Sequence, residues 1–167
     1  MLHYGAAAQA LFDIDANNPA DAALTALADI STNDIHPTGT NMTEGLAEYG
    51  LEYTGSTLVC RSETVIRHYY TVTNQNAFAL VKDSISINGE SVRYKERNNE
   101  IYFEIKNIAA ADLDTDYTLT IGDKAYPYSV MDYVSRALQA IDNSNALWKL
   151  VTALFRYNQA ANAFFGR

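Results

Sequence analysis

From about residue 51 the apolar positions alternate, while toward both ends they recur every three or four residues. A period of two marks strands with one buried face, and a period near 3.6 marks amphipathic helices. TLVCR (57–61) and TVIRHYYTV (64–72) are rich in β-branched and aromatic residues, which suit a pleated, half-buried surface. Ser84–Ile87, then Asn88-Gly89, then Ser91–Tyr94 predict a hairpin on a type I′ turn, because Asn and Gly tolerate the positive φ this turn requires. Arg97-Asn98-Asn99 predicts the next turn, ahead of Ile101-Tyr102-Phe103-Glu104-Ile105. Residues 116–121 predict another strand, which Gly122-Asp123 turns toward Ala125-Tyr126. That makes roughly seven short strands in about eighty residues, the strand density of a sandwich.

The helical period governs the flanks. Residues 1–12, Ala-rich with Leu2, Leu11 and Phe12, predict a short helix. Asn18-Pro19-Ala20-Asp21 supplies an N-cap, a proline at N1 and an acid near the positive end of the dipole; Ala23, Leu24, Leu27 and Ile30 follow at helical spacing. Residues 31–49, with Pro37, Gly39 and Gly45 among Ser, Thr and Asn, predict a long surface connection. Ser129-Val130-Met131-Asp132 resembles a capping box with Asp at N3, and Val130, Tyr133, Val134, Ala137, Leu138 and Ile141 form one stripe. Asp142-Asn143-Ser144-Asn145 breaks this helix. The next presents Leu147, Leu150, Val151, Leu154, Ala161, Phe164 and Phe165, with Trp148 off the stripe, and ends on Gly166. About twenty residues at ~1.5 Å each span about 30 Å, enough to run along a sandwich. Its apolar stripe needs partners, and the 129–141 and N-terminal helices are the expected ones.

The two ends of the chain echo each other. With 1–14 laid on 154–167, Tyr4 falls on Tyr157, Ala7 on Ala160, Ala8 on Ala161, Ala10 on Ala163 and Phe12 on Phe165. A shared Y-x-x-A-A-x-A-x-F frame indicates an internal repeat, so 1–49 reads as the end of a preceding repeat plus a linker.

Leu113-Asp114-Thr115-Asp116-Tyr117, leading into alternating Thr118–Ile121, resembles the tyrosine-corner segment of fibronectin-III and immunoglobulin-like domains. The fold class this implies is α+β. An Ig/fibronectin-III-like β-sandwich over 50–128 packs with helices from both termini, including a helical hairpin over 129–167. Tyr117 is then expected to be buried, with its hydroxyl bonded to backbone upstream.

Composition narrows the partners. A 48% hydrophobic content supports a packed core. With 20 acidic against 12 basic residues and a formal charge of −8, neither nucleic acid nor an anionic membrane surface is an expected partner. Cys60 is the one cysteine, which precludes an internal disulfide and suits the cytosol and a Gram-positive surface equally. No window reaches ~18 apolar residues, so membrane insertion is not expected. MLHYGAAAQ lacks the regions of a signal peptide, but it reads as mid-helix and so leaves secretion undecided.

Candidate chemistry is sparse. His3, His36 and His68 sit in no metal-ligand spacing, and no P-loop, dinucleotide, G-x-S-x-G or zinc pattern occurs. His68, between Arg67 and Tyr69, reads as a sheet-face residue before a ligand-facing one. Cys60, within Leu58-Val59-Cys60, reads as a buried small hydrophobe. Asp13-x-Asp15-x-Asn17 opens like a calcium loop, but Asn18 stands at the glycine position and Leu24 at the twelfth. Asp112, Asp114 and Asp116 form a second acidic cluster. Both are weak calcium candidates, and solvated turns are the commoner reading; no other cofactor is expected. Lys82, Lys106 and Lys124 are the sheet-region lysines open to a Lys–Asn isopeptide cross-link. Twelve tyrosines are the oddity. Exposed strand aromatics can stack on sugar rings, although aromatics also simply suit strands and cores. Tyr69, Tyr70, Tyr94 and Trp148 are the ligand-binding candidates, and alternation puts Tyr69 and Tyr70 on opposite faces.

Leu51–Thr64, IRHYY (66–70), Tyr102-Phe103-Glu104-Ile105-Lys106-Asn107-Ile108, YPYSVMDYV (126–134) and ALFRYNQAANAFF (153–165) together resemble a module of large secreted or wall-attached multi-domain proteins of anaerobic gut Gram-positive bacteria. The resemblance spans nearly the whole chain and carries no assigned activity or catalytic residues. It implies an extracellular location, with neighbouring modules of the same polypeptide, a polysaccharide or a surface protein as partners. The expected function is a non-catalytic structural or interaction module. A carbohydrate-binding module is the alternative, and an enzyme ranks third.

Overall fold

The structure, a computed structural model, describes residues 41–60, 63–97, 100–142 and 144–166. The anticipated N-terminal helices, their packing against the C-terminal ones, and the Asp13/Asp15/Asn17 loop lie outside the described residues. Among the described residues the chain is mixed α and β, with two antiparallel sheets and three α-helices. In chain order the strands are β1 (Leu51–Cys60), β2 (Thr64–Val72), β3 (Ser86–Ile87), β4 (Glu90–Ser91), β5 (Lys95–Arg97), β6 (Glu100–Ile108), β7 (Tyr117–Ile121) and β8 (Lys124–Tyr128). The helices are α1 (Gln75–Val81), α2 (Val130–Ala140) and α3 (Ala146–Phe165). Two compact units divide these residues: 41–109 with 115–130, and 110–114 with 131–166.

The first unit holds both sheets, in the orders β1-β2-β6-β5 and β4-β3-β7-β8. Alternation assigns the faces. On β2, Ile66, His68 and Tyr70 are buried while Arg67 and Tyr69 are half-buried; on β6, Ile101, Phe103 and Ile105 are buried while Tyr102 and Glu104 alternate with them. Ile85, Leu119, Ile121, Tyr126 and Tyr128 add the core residues on or beside the second sheet. His68 meets Tyr128 edge-on, with ring centroids 4.8 Å apart, so side chains of the two sheets touch at the core. The β3–β4 turn is as the sequence predicts: Ile87 faces Glu90, and Asn88 and Gly89 have φ of 51° and 82°.

Three local expectations need correction. Residues 41–49 are not a plain surface connection, because Met42 and Leu46 join the core and Leu46–Tyr49 forms a 3-10 turn. Tyr126 Oη donates to the Glu44 carbonyl at 2.7 Å, and Tyr49 Oη donates to the Asp123 carboxylate. The α1 helix was not legible from periodicity. It is capped by the Asn74 side chain, which accepts from the Asn76 and Ala77 amides at 3.0 and 3.2 Å, and it buries Phe78. Tyr117 does open β7, but as the strand's first residue it is half-buried rather than buried.

In the second unit α3 follows the sequence closely. The Asn145 side chain accepts from the Leu147 amide at 2.9 Å, and Gly166 ends the helix at φ 71°. Leu150, Val151, Leu154 and Ala161 are buried as the stripe predicts. Phe164 and Phe165 are not: they are 83% and 63% exposed, so the buried stripe stops at Ala161. The Met131 amide donates to the Leu113 carbonyl at 3.0 Å, and Asn158 Nδ2 donates to the Ala110 carbonyl at 3.2 Å. These bonds tie both helices to the short 110–114 segment.

Candidate functional site

The outward face of β1-β2-β6-β5 gathers the chain's aromatic and cationic chemistry. Register does the gathering: Tyr69 pairs with Gly55 on one side and Tyr102 on the other, and Tyr102 pairs with Lys95. The Tyr69 and Tyr102 rings lie 5.3 Å apart and 34° from parallel, forming a tilted shelf. Arg67 sits over the Tyr102 ring at 5.4 Å and Lys95 at 6.0 Å. Gly55 contributes no side chain to this row, and nothing lies within 4 Å of where its Cβ would be. The space beside Tyr69 is accordingly open: a cavity of about 390 Å³, bordered by Thr54, Thr57, Arg97 and Glu100.

Glu104 anchors the neighbouring row. Its side chain is 6% exposed, and it receives Arg67 Nε at 2.9 Å, Lys106 Nζ at 3.3 Å and a close contact from Lys95. Burial pushes its carboxyl up, but the hydrogen bonds from Lys95, Lys106 and Arg67 outweigh it and hold the group below the usual carboxylate range. The Tyr69 phenol is also raised by burial and then brought net below its ordinary value by Thr57, Arg67 and Arg97. Both shifts come from the hydrogen-bond donors, mostly cationic, that surround the shelf.

A second cluster lies inside the first unit. Tyr53 Oη is 2.6 Å from Ser56 Oγ, which is 2.6 Å from His68 Nδ1. His68 is 0% exposed, its Nε2 has no hydrogen-bond partner, and burial pushes its pKa down to about 3. The ring is therefore neutral at physiological pH and shielded from solvent. The bond joins the buried ring to the half-buried Ser56, which itself borders the cavity beside Tyr69.

The sequence-predicted candidates separate cleanly. Tyr69 faces outward, on the shelf. Tyr70 is 0% exposed and packs against Phe103 at 5.7 Å, so it is withdrawn as a ligand residue. Tyr94 is half-buried with its ring against Phe78 at 5.3 Å, beside a cavity of about 620 Å³. Trp148 is 6% exposed and is likewise withdrawn as a binding residue, being part of the buried set of α3. Cys60 is half-buried rather than buried, because it ends β1 opposite Thr64, where the pairing runs out. Asp114 accepts from Asn162 Nδ2 at 2.8 Å and Asp116 is exposed. Among the described residues no three His, Cys, Asp or Glu side chains converge to hold a metal ion. Nor is any helix among them long and apolar enough to cross a membrane.

Sequence reasoning missed Arg67, Lys95, Arg97, Tyr102 and Glu104 as a set. The signal present was the strict alternation of β2 and β6, which marks Arg67/Tyr69 and Tyr102/Glu104 as same-face pairs. Searched against protein families, curated proteins and solved structures, the chain has no significant match.

Proposed function

We propose that the chain is a non-catalytic interaction module with an Ig-like sandwich, one unit of a larger bacterial surface protein. The strand order carries this reading. Taken in sequence as A, B, C, C′, D, E, F and G, the eight strands among the described residues fall into A-B-E-D and C′-C-F-G, the arrangement of immunoglobulin-like domains. Tyr117 then opens strand F, where a tyrosine corner belongs. The neutral, enclosed His68 supports a non-catalytic role, and the repeated motif at the two ends supports a modular one. The extracellular setting, with neighbouring modules as partners, rests on the resemblance alone.

The outward Tyr69–Tyr102 shelf favours one specific form of this reading, a carbohydrate-binding module. The test is to incubate the purified chain with polysaccharides, measuring retention of the protein and the chain length of the polymer. Retention with the polymer intact is the expected result. Depolymerisation that His68→Ala abolishes would overturn the non-catalytic reading.

A further inference from the structure

We propose that the outer face of the first sheet recognises an acidic saccharide, with Tyr69 stacking on a sugar ring and Arg67, Lys95, Arg97 and Lys106, two of them placed over Tyr102, holding its carboxylate or sulfate groups. This rests on the carbohydrate reading of the face and adds the charge class of the ligand.

The argument is one of charge complementarity. The whole chain carries −8, yet on this face Arg67, Lys95 and Lys106 share the single charge of Glu104. Arg67, Lys95, Arg97 and Lys106 stand against Glu52, Glu100 and Glu104 on this face, which leaves it one positive charge in excess within a chain of −8. Two of those cations already lie over the Tyr102 ring, so an anion and a ring bound there would be held by the same few side chains. Arg97 borders the cavity next to Tyr69, where the Thr54 and Thr57 hydroxyls donate to Glu100 and Tyr69 and keep lone pairs to accept from a sugar hydroxyl. Aromatic shelves with cations also suit single-stranded nucleic acid. Here, however, Glu52 and Glu100 pair across to Thr71 and Arg97 on the same face, and the chain as a whole carries −8. A polymer with a phosphate at every residue meets carboxylates there. A glycan with spaced anionic groups does not have to.

The test measures affinity of the purified chain for hyaluronan (one carboxylate per disaccharide), κ-carrageenan (one sulfate per disaccharide), neutral mannan and polyuridylate, at low and high salt. Binding to one of the acidic glycans, weakened by salt, is expected, and the preferred one identifies carboxylate or sulfate as the anion. Exchanging the exposed pair, Lys95→Gln with Arg97→Gln, should weaken that binding about tenfold or more. Tyr69→Ala should weaken it comparably, whereas Glu104→Gln, which removes the competing carboxylate, should tighten it. Should Tyr69→Ala fail to fold, the surface pair decides. Equal affinity for mannan, indifferent to the Lys95/Arg97 exchange, would overturn the acidic preference and leave the carbohydrate reading standing. No affinity for any glycan, or a preference for polyuridylate, would overturn both.

Discussion

His68 owes its protonation state to burial, and that gives stability a pH dependence of known sign. Its pKa falls from 6.5 to about 3 in the folded chain. Between those values the unfolded state binds a proton that the folded state refuses. The stabilisation is therefore complete above the unfolded value and is lost as pH falls toward the folded one, at about 1.4 kcal/mol per pH unit. Urea titrations at neutral and mildly acidic pH should show the parent chain weakening more steeply than His68→Gln; parallel losses would refute the assignment. Gly122 supplies a second residue-scale expectation. It has φ 61°, and a Cβ there would stand 2.5 Å from the Tyr49 ring. Gly122→Ala should cost about 1–3 kcal/mol through strain and collision. Part of that cost should vanish in a Tyr49→Ala background, which a double-mutant cycle would measure.

Elements here are held at their ends by side chains that the sequence places locally. The Asn145 cap on α3 satisfies a first-turn amide that otherwise has no intrahelical partner. Asn145→Ala should lower stability by about 1 kcal/mol, read as a shifted urea midpoint with an unchanged slope. A midpoint that does not move would mean the cap is redundant. Two of the four sheet edges follow the same economy, the other two being β1 and β8. β5 is three exposed charged residues and β4 only two residues long, so neither offers a long apolar edge for another chain to pair with.

On the scale of the whole molecule, the probes of the two units are chemically distinct. Trp148 is the sole tryptophan and lies in the helical unit, while the described sheets carry tyrosines such as Tyr53, Tyr70, Tyr126 and Tyr128. Since Trp148 is 6% exposed, its native emission should be blue-shifted and protected from acrylamide, with protection lost when the helical unit opens. Ready quenching in the native state would contradict its burial. Tertiary charge is distributed just as unevenly: a chain of −8 overall presents its cation cluster on one sheet face.

The sequence by itself determined what acts over a few residues. Asn88-Gly89 specified its turn, Asn145 and Gly166 bounded α3, and alternation separated Tyr69 from Tyr70. Each depends on backbone preference or on the geometry of adjacent side chains, which no distant contact needs to supply. A two-residue hairpin and a seven-residue helix lie near the limit of such signals; the turn residues revealed the first, and the second was too short to show a period. Only the tertiary structure decided which tyrosine faced outward and what stood beside it. Pairing β2 with β6 sets Arg67 against Glu104 and Tyr69 against Tyr102, across more than thirty residues of chain. That register is fixed by burying Ile66, His68 and Tyr70 with Ile101, Phe103 and Ile105, because a slip of one residue would turn one strand's buried set to solvent. Tertiary packing likewise enclosed Tyr70 within the sheets and, separately, Trp148 within the helical unit, whose exposure no local pattern could set.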